Sequence, residues 1–185
     1  MERRFRGIIL VCVFILLIAS TALATQILYQ SPQQLGSQSA LVVRGKVVSV
    51  ESYWNDDHSK IFTRTRVGVD ETYKGAGQPT VDIVQLGGVV DNVRVTVHGA
   101  LRWTPGEEVL LFVERQDAGD YRVSGFSQGK FHIERDPKTG VAYVDAPALD
   151  GVELVGASGA DGIQRPTKSD KVTVDTFVDQ ALGRR

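Results

Sequence analysis

The chain has 185 residues, 42% of them hydrophobic, and a formal net charge of -1. That size and apolar fraction suit one globular domain and exclude a disordered or collagen-like polymer. The balanced charge supplies no basic field of the kind that draws phosphate backbones, so no nucleic-acid partner is expected.

At the amino terminus, Arg3, Arg4 and Arg6 precede the apolar run Ile8 to Ile18, and Ala22-Leu23-Ala24 follows. Basic, then apolar, then small at alternate positions is the order of a secretory signal peptide. Residues 1–24 are therefore expected to be cleaved after Ala24, leaving a secreted or periplasmic protein. A membrane enters only if cleavage fails, because Gly7 to Ala24 approaches the ~20 residues that a spanning helix needs. Cys12, the single cysteine, lies inside this segment. A mature chain without it has no disulfide, no thiolate nucleophile and no cysteine zinc site. It would carry 18 basic and 21 acidic residues, a formal charge of -3.

Residues 25–39 are polar and Gln-rich and read as a lead-in with one short helical turn. A β-barrel domain is expected over 40–145. In "ALVVRGKVVSVESYW", Leu41, Val43, Gly45 and Val47 share one face, whereas Val48, Val50 and Trp54 share the other. A strand that changes its inward face near a glycine is bulged or bent. "NDDHSK" is a polar turn. The next strand sets Ile61, Thr63, Thr65, Val67, Val69 and Tyr73 opposite Phe62, Arg64, Arg66 and Asp70, and pairs with the first as a hairpin. Further strands are predicted at Thr80–Leu86 and Val93–His98, with a bend at Gly87-Gly88 between them. Others follow at Glu108–Glu114, Tyr121–Ser124, Lys130–Glu134 and Val141–Asp145.

Thr104-Pro105-Gly106-Glu107 matches a type II turn, with Pro105 presetting one dihedral and Gly106 accepting positive φ. Beyond it, Val109, Leu111 and Val113 point one way and Leu110 and Phe112 the other, so this strand is expected to be covered on both faces. Glu107 and Glu108 are consecutive in a strand, point oppositely and form no carboxylate pair. Residues 146–185 read as an irregular segment followed by a terminal helix. In that helix Val174, Phe177, Val178, Ala181 and Leu182 keep helical spacing behind a Thr173 cap. The expected fold class is mainly β: an antiparallel, OB-like Greek-key barrel with added strands and a C-terminal helix.

Candidate sites are sparse. His58, His98 and His132 lack a close ligand motif such as His-Glu-x-x-His, and Asn55-Asp56-Asp57 is ordinary turn chemistry rather than a six-oxygen calcium loop. No serine lies in a Gly-x-Ser-x-Gly elbow, and no helix follows Gly87-Gly88 to make a phosphate cradle. No catalytic residue, cofactor or metal is assigned. Phe62, Arg64 and Arg66 on one outward face of the second long strand form the candidate partner-binding set, since aromatic and arginine side chains suit recognition. Trp54, and with it Trp103, is a candidate platform, with a core wedge as the structural alternative.

Through "ALVVRGKVVSVESYW", "TYKG" and the later glycine-punctuated strands, the chain resembles the netrin-like modules, whose best-known members are the tissue inhibitors of metalloproteinases. It also resembles a group of secreted bacterial proteins with segments like "PGEEVLLFV" and "GFSQGKF". The resemblance covers Ala40 to Glu134 and implies a five-stranded Greek-key barrel of the oligonucleotide/oligosaccharide-binding type with added strands. The metalloproteinase inhibitors act through an amino-terminal cysteine and carry disulfides, whereas the expected mature end here is Thr25-Gln26, so no functional residue carries over. The expected function is that of an exported, non-catalytic binding module, not an enzyme. It would recognise a protein, either a protease or an envelope component, through one barrel face. An oligosaccharide-binding barrel at the cell envelope is the alternative, and a small metal-dependent hydrolase using histidines and aspartates ranks last.

Overall fold

A computed structural model describes residues 25–117, 119–145, 152–155 and 171–184. The expected signal segment, Cys12 and most of 146–170 lie outside the described residues. Along the chain the elements are β1 (Thr25–Leu28), α1 (Pro32–Gln38), β2 (Leu41–Trp54), β3 (Ile61–Lys74), β4 (Thr80–Leu86), β5 (Gly88–Val90) and β6 (Val93–Val95). They continue with β7 (Glu108–Arg115), β8 (Tyr121–Val123), β9 (Lys130–Arg135), β10 (Ala142–Asp145), β11 (Val152–Val155), β12 (Val172–Thr173) and α2 (Val174–Leu182).

Five of these strands close a barrel in the order β2-β3-β4-β8-β7, with β7 returning to β2. The pairs β2–β3, β3–β4, β2–β7 and β7–β8 are antiparallel, and β4–β8 is parallel through Ile83 and Tyr121. A ring with an odd number of strands cannot alternate direction all the way round. One neighbouring pair must run the same way, so the barrel is mixed where the sequence pattern suggests antiparallel pairing throughout. Three strands in a meander, a fourth returning beside the first and a fifth beside the third make the OB-like Greek-key arrangement.

The long β2–β3 hairpin bends because its register slips at Val42/Val43, Arg44/Gly45 and Val47/Ser49. The last slip leaves Val48 as the extra residue, 59% exposed, and turns Val50 inward instead of Ser49. The expected change of face therefore falls at Val48, which does not share a buried face with Val50. Gly45 is needed where β2 and β3 press together, since a β-carbon there would lie 2.1 Å from the Gly68 carbonyl oxygen. Such bulges tighten the local twist and let a long strand curl round a small barrel.

β7 separates two apolar layers. Val109, Leu111 and Val113 fill the barrel with Leu41, Val43, Val67 and Ile83, while Leu110 and Phe112 face an outer layer with Phe131, Val174 and Phe177. That outer layer forms because β9 and β10 extend the sheet past β7, and α1 and α2 cover the extension. Phe112, Phe131 and Phe177 meet with centroids 4.8 to 6.2 Å apart, at angles between 60° and 90°. Thr173 caps α2, accepting from Thr176 N–H, and Gly183 ends it in the left-handed conformation. Ser31 and Gln34 form a capping box on α1.

Two further sequence expectations are corrected. The strand expected over Val93–His98 stops at Val95 and pairs with β5 in a separate hairpin, turned at Asp91 with φ of 51°. Within the segment expected to be irregular, Val152–Val155 form a strand that pairs in parallel with β1, inside the expected lead-in.

Leu111→Ala is expected to destabilise the protein by about 2–5 kcal/mol in urea unfolding, as a large-to-small change at a fully buried position. Thr65 is fully buried with a hydroxyl that has no hydrogen-bond partner among the described residues. Thr65→Val removes that desolvated group at nearly constant shape and should raise stability by about 1 kcal/mol in the same assay.

Candidate functional site

The terminal helix packs against β10, β12 and the β7–β9 extension and meets β3 only near Tyr73, so it leaves the outer face of β3 around Phe62, Arg64 and Arg66 uncovered. Strand register then lays that face out in rows. Tyr53, Phe62 and Leu86 stand side by side across β2, β3 and β4, and Glu51, Arg64 and Val84 form the next row. Ser49, Arg66 and Asp82 form the third.

Within the first two rows, the Tyr53 and Phe62 rings stack at 6.2 Å and 29°, and the Arg64 guanidinium lies 5.0 Å above the Tyr53 ring. Both Phe62 and Arg64 are half-buried, and Arg64 Nε is buried without a hydrogen-bond partner among the described residues. A guanidinium held over an aromatic ring keeps its charge next to the ring's negative face, and its planar fork of donors suits bidentate recognition. In the third row Arg66 donates Nε and Nη2 to the two Asp82 oxygens, each at 2.8 Å. Those hydrogen bonds hold the Asp82 carboxyl below the usual carboxylate range. Arg66 is therefore already occupied, and the sequence-derived set divides into an available pair, Phe62 and Arg64, and a self-satisfied ion pair.

Trp54 follows Tyr53 at the end of β2 and stacks on His58 of the turn at 6.2 Å. In that turn Asp57 accepts from Ser59 N–H and Oγ, which lowers its carboxyl below the ordinary range. Asn55 Oδ1 accepts from Lys60 N–H. Together with the 116–120 turn, the β2–β3 turn borders a groove of about 580 Å³ beside the aromatic row. Tyr53, Asn55, Phe62, Gln116 and Arg122 line it, with Asp56, Asp117 and Asp120 at its polar side. Tyr53 was not among the sequence-derived candidates. Counting outward from the "NDDHSK" turn places it opposite Phe62, so the signal was present in the hairpin register.

Trp103 belongs elsewhere. Its indole N–H donates to Gln85 Oε1 at 3.1 Å, and the Lys130 ammonium sits 4.5 Å above its ring. Lys130 is 4% exposed, pairs with Glu107 at 2.5 Å and donates to the Arg102 carbonyl at 2.7 Å. Burial pushes the Lys130 ammonium below the ordinary lysine range, and the Glu107 carboxylate opposes that shift. The expected turn is present: Glu107 N–H donates to Thr104 O, and Gly106 has φ of 87°. As expected, the two glutamates diverge, Glu107 to Lys130 and Glu108 to Arg135. Trp103 and Lys130 thus pin the 101–107 segment across the barrel, a structural role.

His58 lies in the β2–β3 turn, His98 follows β6, and His132 on β9 has Nδ1 3.7 Å from Glu107. Among the described residues no three His, Cys, Asp or Glu side chains group to hold a metal ion. Comparison of the chain with family models, curated proteins and solved structures finds no match. Fold and face therefore define the class alone: a mixed OB-like barrel with an uncovered aromatic and arginine row beside a polar groove.

Lys130→Met is expected to lower stability by about 3 kcal/mol because it leaves Glu107 without its counter-charge in a confined site. Adding Glu107→Leu should recover most of that loss. A double-variant loss equal to the sum of the Lys130→Met and Glu107→Leu losses, measured by denaturant unfolding, would show that the pair is not coupled.

Proposed function

We propose that this chain is an exported, non-catalytic module that binds a protein, either a protease or an envelope component, through the outer face of β3. The single observation that carries the reading is the Tyr53–Phe62 stack with Arg64 laid over it, left uncovered beside a groove. Aromatic rings and arginine are the side chains enriched where proteins bind one another, because they desolvate large areas and direct hydrogen bonds at modest entropic cost. Among the described residues the buried Arg64 Nε lacks an acceptor, so no hydrogen bond to that atom opposes turning the guanidinium toward a partner carbonyl or carboxylate.

A second reading takes the groove as an oligosaccharide site. It is favoured by the aromatic wall next to the amide and carboxylate side chains Asn55, Gln116, Asp117 and Asp120. The two readings separate experimentally. Purified protein should retain a stoichiometric partner from secreted and periplasmic fractions, scored by mass spectrometry. Arg64→Ala or Phe62→Ala should weaken that complex by at least about 2 kcal/mol, or thirtyfold, with an unchanged melting temperature. Capture that survives both substitutions would reject this face. Soluble envelope glycans that quench Trp54 fluorescence would instead favour the oligosaccharide site, with a Trp103→Phe background isolating the signal.

A further inference from the structure

The barrel closes between β4 and β8 by its shortest pairing. These strands are paired only at Ile83 and Tyr121, and beyond that pair they part. Gly87 N–H donates to Ile61 O, so the pairs Ile61/Gly87, Thr63/Gln85 and Thr65/Ile83 exchange hydrogen bonds across β3–β4. By the alternation of an antiparallel ladder, the N–H and C=O of Leu86 turn away from β3. On the opposite wall Gln116 N–H donates to Asp120 O and Ser124 N–H to Phe112 O, so Val123 turns its N–H and C=O away from β7. Two strand edges thus face one slot of about 610 Å³, roofed by Ile27, Leu28 and Gln30. Gln116 Nε2 spans its narrow end, donating to Tyr121 O at 3.2 Å and Val84 O at 3.5 Å.

We propose that this slot takes an extended peptide segment of the protein partner, added as a strand between β4 and β8. The proposal rests on the protein-binding reading above and specifies how the partner is held. Leu86 on one edge and Val123 on the other each turn an N–H and a C=O toward the slot, and an extended main chain is the ligand that can pair with both. Among the described residues the Gln30 carboxamide oxygen, at the slot wall beside Gly125, is buried without a donor, and a peptide N–H would supply one.

The rim is apolar: Leu28 is 71%, Phe126 52% and Leu86 42% exposed. Phe126 holds φ of 68°, a costly conformation for a bulky residue, and lines the slot while about half exposed. Charge also fits, because the wall residues Arg122 and Glu114 neutralise each other in a two-point ion pair. A neutral extended peptide with apolar side chains at alternate positions matches this slot, and a polyanion does not.

Linear peptides displayed on phage and panned against the purified full chain are the probe. Enriched peptides should carry alternating apolar residues and lose at least about tenfold in affinity when alternate main-chain nitrogens are methylated. Amide hydrogen exchange at Leu86 and Val123 should slow on binding. Leu86→Pro removes an N–H that β3 does not use and should abolish binding. Phe126→Asn, whose side chain tolerates positive φ, should keep the melting temperature and lower peptide affinity about tenfold.

Peptides that bind with both variants at full affinity, or that protect only the Tyr53–Phe62 face, would overturn strand addition while leaving the outer-face reading intact. Failure to enrich any peptide would overturn it as well. Loss of the outer-face reading has its own signature, partner capture that Arg64→Ala leaves unchanged.

Discussion

Burial of β7 on both faces is the constraint on which the architecture depends. Five consecutive residues, Val109 to Val113, have no accessible surface. A strand in that state needs apolar material on two sides. The barrel provides one side, and the other has to be built from the β9–β10 extension and the two helices. The outer layer is thus the completion of a strand that the barrel covers on one face only. It also decides which surface remains free, because the helices are committed to β7 and β9 and leave the outer face of β3 around Phe62 and Arg64 without a helical cover.

Polar groups inside this frame act as fasteners. Gln128 has no accessible surface, donates to the Leu28 carbonyl and accepts from Gln30 N–H, tying the amino-terminal segment to the turn after β8. Ser39 and Ser124 share a buried hydroxyl contact at 2.7 Å. Lys130 and Trp103 hold the segment that precedes β7. Each of these joins a segment without regular structure to the barrel, where buried hydrogen bonds specify position more than they add net stability.

The sequence was legible where order is local. The alternation of β3, the two-faced run of β7, the turn at Pro105-Gly106 and the spacing of α2 depend on neighbours in the chain, and the structure contains all four. What depends on distant partners was not legible. The parallel closure of β4 on β8 rests on Ile83 meeting Tyr121, and the pairing of β1 with β11 spans most of the chain. No pattern within Thr25–Leu28 announces its partner.

The candidate face shows the same division. Phe62 and Arg64 followed from alternation, but Arg66 was counted with them because Asp82, its partner across the sheet, lies on another strand. Lys130 read as an ordinary strand residue, since burial of a lysine depends on an acid and an indole brought from elsewhere.

The position of α2 after β7 and β9 in the sequence has a kinetic side. Phe177 closes an aromatic cluster whose other members, Phe112 and Phe131, are made much earlier. During synthesis those two rings lack the cover of Phe177 until α2 emerges. The β2–β3–β4 meander can form from sequence neighbours, whereas sealing the outer layer waits on contacts of long separation, which form slowly. Order of appearance therefore makes the terminal helix a latch. Until it docks, the chain is a barrel with a greasy flank exposed, the state most exposed to aggregation and to a protease.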